Sequence, residues 1–148
     1  MLNDLEALYR MRLPEFTRVA AVIAGDPESG RDAVQDAFAK ALRKRRRYRD
    51  GNLEGWVWRI VVNSARDTAR RRRRTLPTPI PAEALAAEVG LPLELLTNRQ
   101  REVLFLHYYA DIDYATIAQA LEISPGTVGA TLSAARQTLR GALLKETR

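Results

Sequence analysis

Three prolines at every second position, in Leu76-Pro77-Thr78-Pro79-Ile80-Pro81, constrain this chain more than any other feature. Each removes a backbone donor and crowds the turn before it, so the stretch favours extended backbone and stops any helix that reaches it. On both sides of it, apolar residues recur at helical spacing, Gly and Pro punctuate them, and strand alternation is almost absent. The chain therefore reads as all-α, with two small helical domains, 1–74 and 93–148, on either side of a linker at 75–92. A length of 148 residues accommodates one ordinary domain or two very small ones.

Local signals divide the two halves further. Leu2 to Met11 is amphipathic, and Pro14 can open a second helix that ends at Gly25. Asp26-Pro27 is a helix start, a carboxylate cap followed by proline in the first turn. The helix it opens carries Val34, Phe38, Ala41 and Leu42 and runs into the basic tract 43–49. Asp50-Gly51-Asn52 is a turn whose asparagine can cap a helix from Leu53 to about Arg74. Beyond the prolines, Ala82 to Val89 predicts a short helix stopped by Gly90 and Pro92. Leu93 to Ala110, Tyr114 to Leu121 and Pro125 to about Leu144 are helical in period.

Charge is distributed unevenly. Residues 43–74 hold 13 basic and 3 acidic side chains, net +10, while the flanks 1–42 and 75–148 are each net −2. Such a field suits nucleic acid, because each phosphate neutralised by Lys or Arg releases counterions. On a helical wheel of the segment from Leu53, residues Leu53, Val57, Ile60, Val61 and Ser64 share the packing arc. Arg59, Asn63, Arg66 and Arg70 form another stripe, with Trp56 at the border. Arginine fixes phosphates, an amide offers a donor and an acceptor to a base edge, and tryptophan supplies a stacking surface or core packing. Arg70 to Arg74 are expected phosphate anchors.

Tyr114 to Leu121, Glu122-Ile123-Ser124 and Pro125-Gly126-Thr127-Val128 match a helix-turn-helix. Small Ala118 sits where the helices cross, Ile117, Leu121, Ile123 and Val128 pin them, and Ser124 caps the second helix. Two features weaken it as a DNA reader. Glu122 occupies a turn position that favours glycine, and Gly129, Ala130, Thr131, Ser133 and Ala134 bring little charge to the recognition helix.

These stretches, in this order, resemble a bacterial RNA polymerase sigma factor of the sigma-70 family, extracytoplasmic-function group, over nearly the whole chain. Gly25-Asp26 followed by Asp32 to Phe38 is similar to the acidic helix with which that family docks on the clamp coiled coil of the large polymerase subunit. The resemblance implies Asp32, Gln35, Asp36 and Phe38 as polymerase-binding residues. Gly55 to Asn63, with Asp67 and the arginines, resembles the family's promoter-melting helix, where the Asn and the preceding loop hold a flipped base of the minus-ten element. That implies Trp56, Arg59, Asn63, Arg66, Arg70 and Arg71 as minus-ten contacts. Leu96 to Val103 and Ile117 to Leu139 resemble the minus-thirty-five domain, and imply Ser124, Pro125, Thr127, Thr131 and Arg136 as its DNA contacts. The family often has basic residues where this chain has Gly129 and Thr131, Gly where it has Glu122, and Glu where it has Arg31. Implied partners are the polymerase core and promoter DNA, with an anti-sigma factor left open, for a protein monomeric away from polymerase.

Other function classes fare worse. With no Cys and only His107 as imidazole, the chain lacks thiolate metal sites, a thiol nucleophile and an ordinary transition-metal cage, and His107, mid-helix between Leu106 and Tyr108, reads as a core or partly buried side chain rather than a triad member. No catalytic residue, metal or cofactor is expected, and the protein reads as a non-enzyme. Gly25 to Gly30 has phosphate-loop glycine spacing but continues into Arg31-Asp32 and follows no strand, so its glycines coincide by chance. A membrane-surface role needs apolar residues among the arginines, and the tracts 43–49 and 70–74 contain only Tyr48. The longest apolar run, Val19 to Ala24, is too short to span, and Met1-Leu2-Asn3-Asp4 lacks a signal-like start. A cytoplasmic protein without membrane insertion is expected. The serious rival is a stand-alone helix-turn-helix regulator that binds promoter duplex without polymerase.

Overall fold

The computed structural model describes residues 2–49, 51–75 and 90–146, and every regular element among them is helical. Helix α1 runs unbroken over Leu2–Ala24 with Pro14 inside it, so the expected division at Pro14 does not occur. Arg10 and Pro14 both face solvent, which leaves the carbonyl freed by the missing N–H accessible to water. Leu5 before the proline and Phe16, Val19 and Ala20 after it are all buried, and one continuous helix buries them together.

Helix α2, Pro27–Lys44, starts as the sequence predicts: the Asp26 carboxylate accepts from the Ser29 N–H at 2.9 Å and the Ser29 hydroxyl at 2.8 Å. Gly30 has a packing role. A Cβ there would lie 2.6 Å from the backbone of Ala21, so glycine lets α1 and α2 cross in contact. Helix α3, Leu53–Thr75, is capped by Asn52, whose Oδ1 accepts from Gly55 N at 3.1 Å. Its expected packing arc is buried or half-buried, but the buried surface is wider than the wheel allowed. Trp58, Val62 and Ala65 are fully buried as well, because α3 is covered by α1, α2 and a helix of the other half. Trp58 packs on Phe16 at 4.4 Å between ring centroids, and Phe38 meets Phe16 and Tyr9 edge-on at 5.3 and 4.9 Å.

The second half begins with a 3-10 turn at Leu93–Leu95. Helix α4 spans Asn98–Leu104, so Leu93 to Ala110 is not one helix. Thr97 ends the extended entry by capping α4, and Gln100 returns the bond to the Thr97 N–H. A π-helical turn, Phe105–Tyr109, follows and holds His107 half-buried against Tyr108 and Tyr114. Helices α5, Tyr114–Leu121, and α6, Pro125–Glu146, form the predicted helix-turn-helix, with Ile117, Ala118, Leu121 and Val128 buried between them. Ser124 Oγ accepts from Thr127 N at 3.1 Å, and Asp113 caps α5. Glu122 has φ 59° and ψ 45°, the left-handed conformation expected there. That geometry costs a non-glycine residue about 1 kcal/mol. The helix expected at 82–89 and the proline tract lie outside the described residues. Among the described residues, no helix is long and apolar enough to cross a membrane.

The halves are in contact. Helix α5 lies on the first turns of α3, where Gly55 makes room: a Cβ there would fall 2.3 Å from the Gln119 amide oxygen. Asn52 spans the junction, capping α3 with its oxygen and donating from Nδ2 to Thr116 Oγ1 at 2.7 Å. Arg12 of α1 pairs with Glu54 of α3 at 3.1 Å and also donates to the Ala110 carbonyl of the second half.

Candidate nucleic-acid interface

Helix α3 advances about 100° per residue, which places Arg59, Asn63, Arg66 and Arg70 along one side. Arg59, Asn63 and Arg70 are exposed and Arg66 is half-buried, so the predicted stripe exists. Trp56 borders it, half-buried, with its ring 5.4 Å from that of Tyr48 in the loop before α3. An amide between guanidinium groups, beside a partly open indole, can read a base edge while phosphates are held on both sides.

The stripe arginines carry partners that the sequence did not announce. Arg59 Nε donates to Glu122 Oε1 at 2.8 Å. Arg66 grips Glu102 with two bonds, Nη2 to Oε1 at 2.8 Å and Nε to Oε2 at 3.2 Å. That hydrogen bonding raises the Arg66 pKa. Desolvation opposes it, and the charges of Glu102 and Glu122 add to the rise. Further along, Arg70 pairs with Asp67, and Arg71 lies 3.8 Å from Asp36.

Arg72 departs from its expected role as a phosphate anchor. It pairs with Asp26 and donates to the Ala24 carbonyl at 3.3 Å, tying the end of α1 to the start of α2. Burial alone would raise the Asp26 carboxyl. The Ser29 hydrogen bonds and the Arg72 charge outweigh it and hold that carboxyl below the usual carboxylate range.

On α2, Asp32, Gln35 and Asp36 lie exposed along one edge, bordering a cleft of about 460 Å³ that Thr68 and Arg71 of α3 close. Phe38, expected among the docking residues, is instead turned into the core at 8% exposure, held by its contacts with Phe16 and Tyr9. In the helix-turn-helix, Ser124, Pro125 and Thr127 are exposed together on the first turn of α6, with Thr131 half-buried one turn on. Arg136 is nine residues from Thr127, about half a turn around the helix, and stands over the Tyr108 ring at 5.3 Å. The structure therefore does not bring Arg136 to the face formed by the other four.

With this geometry in hand, two family descriptions match the chain: Sigma-70 region 2 over residues 8–75 and Sigma-70, region 4 over residues 89–139. The chain belongs to the sigma-70 family, in its extracytoplasmic-function group. The region 2 match takes in nearly all of α1 to α3, and the region 4 match runs from before α4 into α6. Among relatives, the ECF RNA polymerase sigma factor SigE of Mycolicibacterium smegmatis is 28% identical over 95% of this chain and 62% of its own length. The probable RNA polymerase sigma factor RfaY of Xanthomonas campestris pv. campestris is 30% identical over 87% of this chain and 38% of its own. The chain thus spans less than two thirds of either relative. Its fold is similar to that of CnrH, solved in complex with the cytosolic domain of CnrY, with a TM-score of 0.78 at 25% identity over 100% of this chain and 92% of that one.

The contacts that join the two halves of this sigma-70 family member were not legible beforehand. Arg12, Glu54, Asn52, Thr116, Glu102 and Glu122 had been assigned no long-range role. The only advance signal was local: a non-glycine residue at the turn position of Glu122.

Proposed function

We propose that this chain is a promoter-specificity subunit of bacterial RNA polymerase, acting in the cytoplasm and performing no chemistry of its own. Residues 1–74 bind polymerase and open the minus-ten element, 75–92 link, and 93–148 bind minus-thirty-five duplex. The exposed edge of Asp32, Gln35 and Asp36 docks on the polymerase core. Asn63 reads the minus-ten element between Arg59 and Arg66, with Trp56, Arg70 and Arg71 beside it. The first turns of α6, through Ser124, Pro125, Thr127 and Thr131, meet the minus-thirty-five duplex. An anti-sigma factor, a protein partner as CnrY is for CnrH, belongs to the same reading.

The observation that carries this reading is an exposed asparagine in mid-helix, flanked on its stripe by arginines, in a member of this family. Trapping an extruded base there offsets a few kcal/mol of lost stacking and pairing. A stand-alone regulator is disfavoured because Ser124, Pro125, Thr127 and Ala130, exposed at the start of α6, include no cation. The test is Asn63→Ala in polymerase holoenzyme. It removes a donor and an acceptor but little volume, so thermal stability should hold while open-complex formation falls by roughly 1–3 kcal/mol. Identical permanganate footprints of the bubble for parent and variant would defeat the assignment.

A further inference from the structure

Where α1 ends and α4 begins, four arginines line one cleft of about 420 Å³. Arg66 and Arg70 come from α3, and Arg99 and Arg101 from α4. Arg70 is exposed and the other three are half-buried. A guanidinium stays protonated at any pH a folded protein tolerates, so the cleft holds a fixed concentration of positive charge. Among the described residues, Glu102 is the carboxylate in its lining, and Arg66 already takes both oxygens, at 2.8 and 3.2 Å. Asp67 pairs with Arg70 from outside the lining. Arg99 lies 3.9 Å from Glu102, beyond hydrogen-bond reach, and donates to the Leu121 carbonyl at 3.5 Å. Arg101 donates to the Leu93 carbonyl at 3.4 Å and to the Asn98 side chain. Neutral partners of this kind orient a guanidinium without neutralising it, and each fork has five donors. Part of the lining is different in kind: Val22 and Ile23, half-buried in the last turn of α1, and buried Ala69 of α3 are apolar.

We infer that this cleft binds a nucleoside di- or triphosphate, with the phosphates on Arg99, Arg101 and Arg70 and the nucleoside against Val22, Ile23 and Ala69. Its volume falls among small-ligand sites, about 300–1,000 Å³. Half-buried donors inside a cleft suit charge strung along a short flexible chain, not the rigid backbone of a duplex. Charge-assisted forks on the phosphates supply most of the affinity, and the apolar contact separates a nucleotide from bare oligophosphate. Arg99 and Arg101 belong to neither the DNA surface nor the polymerase surface proposed above, so the site stands or falls apart from them.

The test uses the full chain alone, without polymerase or DNA, in chelator-containing buffer at physiological salt. Calorimetric titration with ATP should give one site per chain, tripolyphosphate should bind severalfold more weakly, and orthophosphate should give no saturable heat. Arg99→Gln with Arg101→Gln should weaken ATP binding by at least about tenfold, as expected for lost bonds to a charged group. Asn98→Asp places a carboxylate beside Arg101 at an exposed position, where folding is not at stake, and should weaken ATP binding as well. The charge-matched control Arg43→Gln with Arg140→Gln removes two exposed cations outside the cleft and should change the affinity less than twofold. Absence of ATP binding, or unchanged affinity in Asn98→Asp, overturns the site. An equal loss in the control reduces the binding to general electrostatics and overturns it too. Equal affinity for tripolyphosphate and ATP overturns the nucleoside contact. Failure of the promoter reading shows separately, in the Asn63→Ala footprints.

Discussion

At the scale of single residues, Asp26 links local chemistry to packing. It caps α2 through Ser29 and receives Arg72 from α3, so three helices meet at one carboxylate. Replacing it with Ala should cost about 1 kcal/mol, the usual worth of such a cap. Its folded pKa is depressed, so its contribution is present above the unfolded value near 3.9 and is lost as pH falls through the folded value. Asp113, lowered chiefly by the Thr116 hydroxyl and then by the Thr116 N–H, follows the same sign. Urea unfolding of parent and Asp26→Ala should therefore differ at pH 7 and converge in strong acid. A constant difference across that range would mean the carboxylate charge is irrelevant.

Phe38 and its neighbours separate in the same way. Phe38→Ala should destabilise by roughly 3–5 kcal/mol as a core deletion. Gln35→Ala with Asp36→Arg should leave the melting temperature close to that of the parent yet abolish pull-down of polymerase core, because the Arg71–Asp36 pair it breaks is exposed and worth little. Retained pull-down would place the docking surface elsewhere. Resemblance supplied Phe38 as a docking residue, whereas its spacing from Val34 and Ala41 already grouped it with the apolar side of α2, and all three are buried.

At the scale of elements, helix starts were legible where a polar cap preceded an apolar period, as at Asp26, Asn52 and Ser124. Thr97 carried the same kind of signal, Thr-x-x-Gln, but the apolar period continuing across it suggested one longer helix. The wheel of α3 found Val57 and Val61 and missed Trp58, because a wheel assumes one covered side and α3 is covered by three helices. Pro14 misled in the opposite direction. Proline predicts a boundary when local terms decide, and here the burial of Leu5 and Phe16 in one helix overrides it. The cost of that override remains measurable. Pro14→Ala restores a donor for the Arg10 carbonyl at an exposed site and should stabilise the protein, by up to about 3 kcal/mol. Chemical denaturation gives the value directly, and a loss of stability would show that the proline sets a bend the core requires.

At the scale of the whole molecule, net charge marked residues 43–74 as the basic third of the chain but not which of its cations are held by carboxylates. Ion pairs between residues far apart in sequence leave no periodic trace, so the contact of the halves was invisible to spacing arguments. The expectation that Arg70 to Arg74 act as one anchor is divided by the structure at Arg72. Arg70 and Arg71 are exposed on α3, with acidic partners that are exposed or half-exposed, whereas Arg72 is one-fifth exposed and joins α1 to α2. Each phosphate contact contributes about 0.9 to the slope of log affinity against log salt on duplex DNA and about 0.7 on single strands. Holoenzyme carrying Arg70→Gln with Arg71→Gln should therefore lose about 1.4–1.8 units of slope on promoter DNA with little change in stability. Arg72→Gln should do the reverse, lowering the unfolding temperature and leaving the slope nearly intact, because its charge is committed to Asp26 and the Ala24 carbonyl. Salt titrations of both variants by fluorescence anisotropy, beside their melting curves, decide between the roles. A slope for Arg72→Gln reduced as far as that of the double variant would show that Arg72 leaves Asp26 to reach a phosphate.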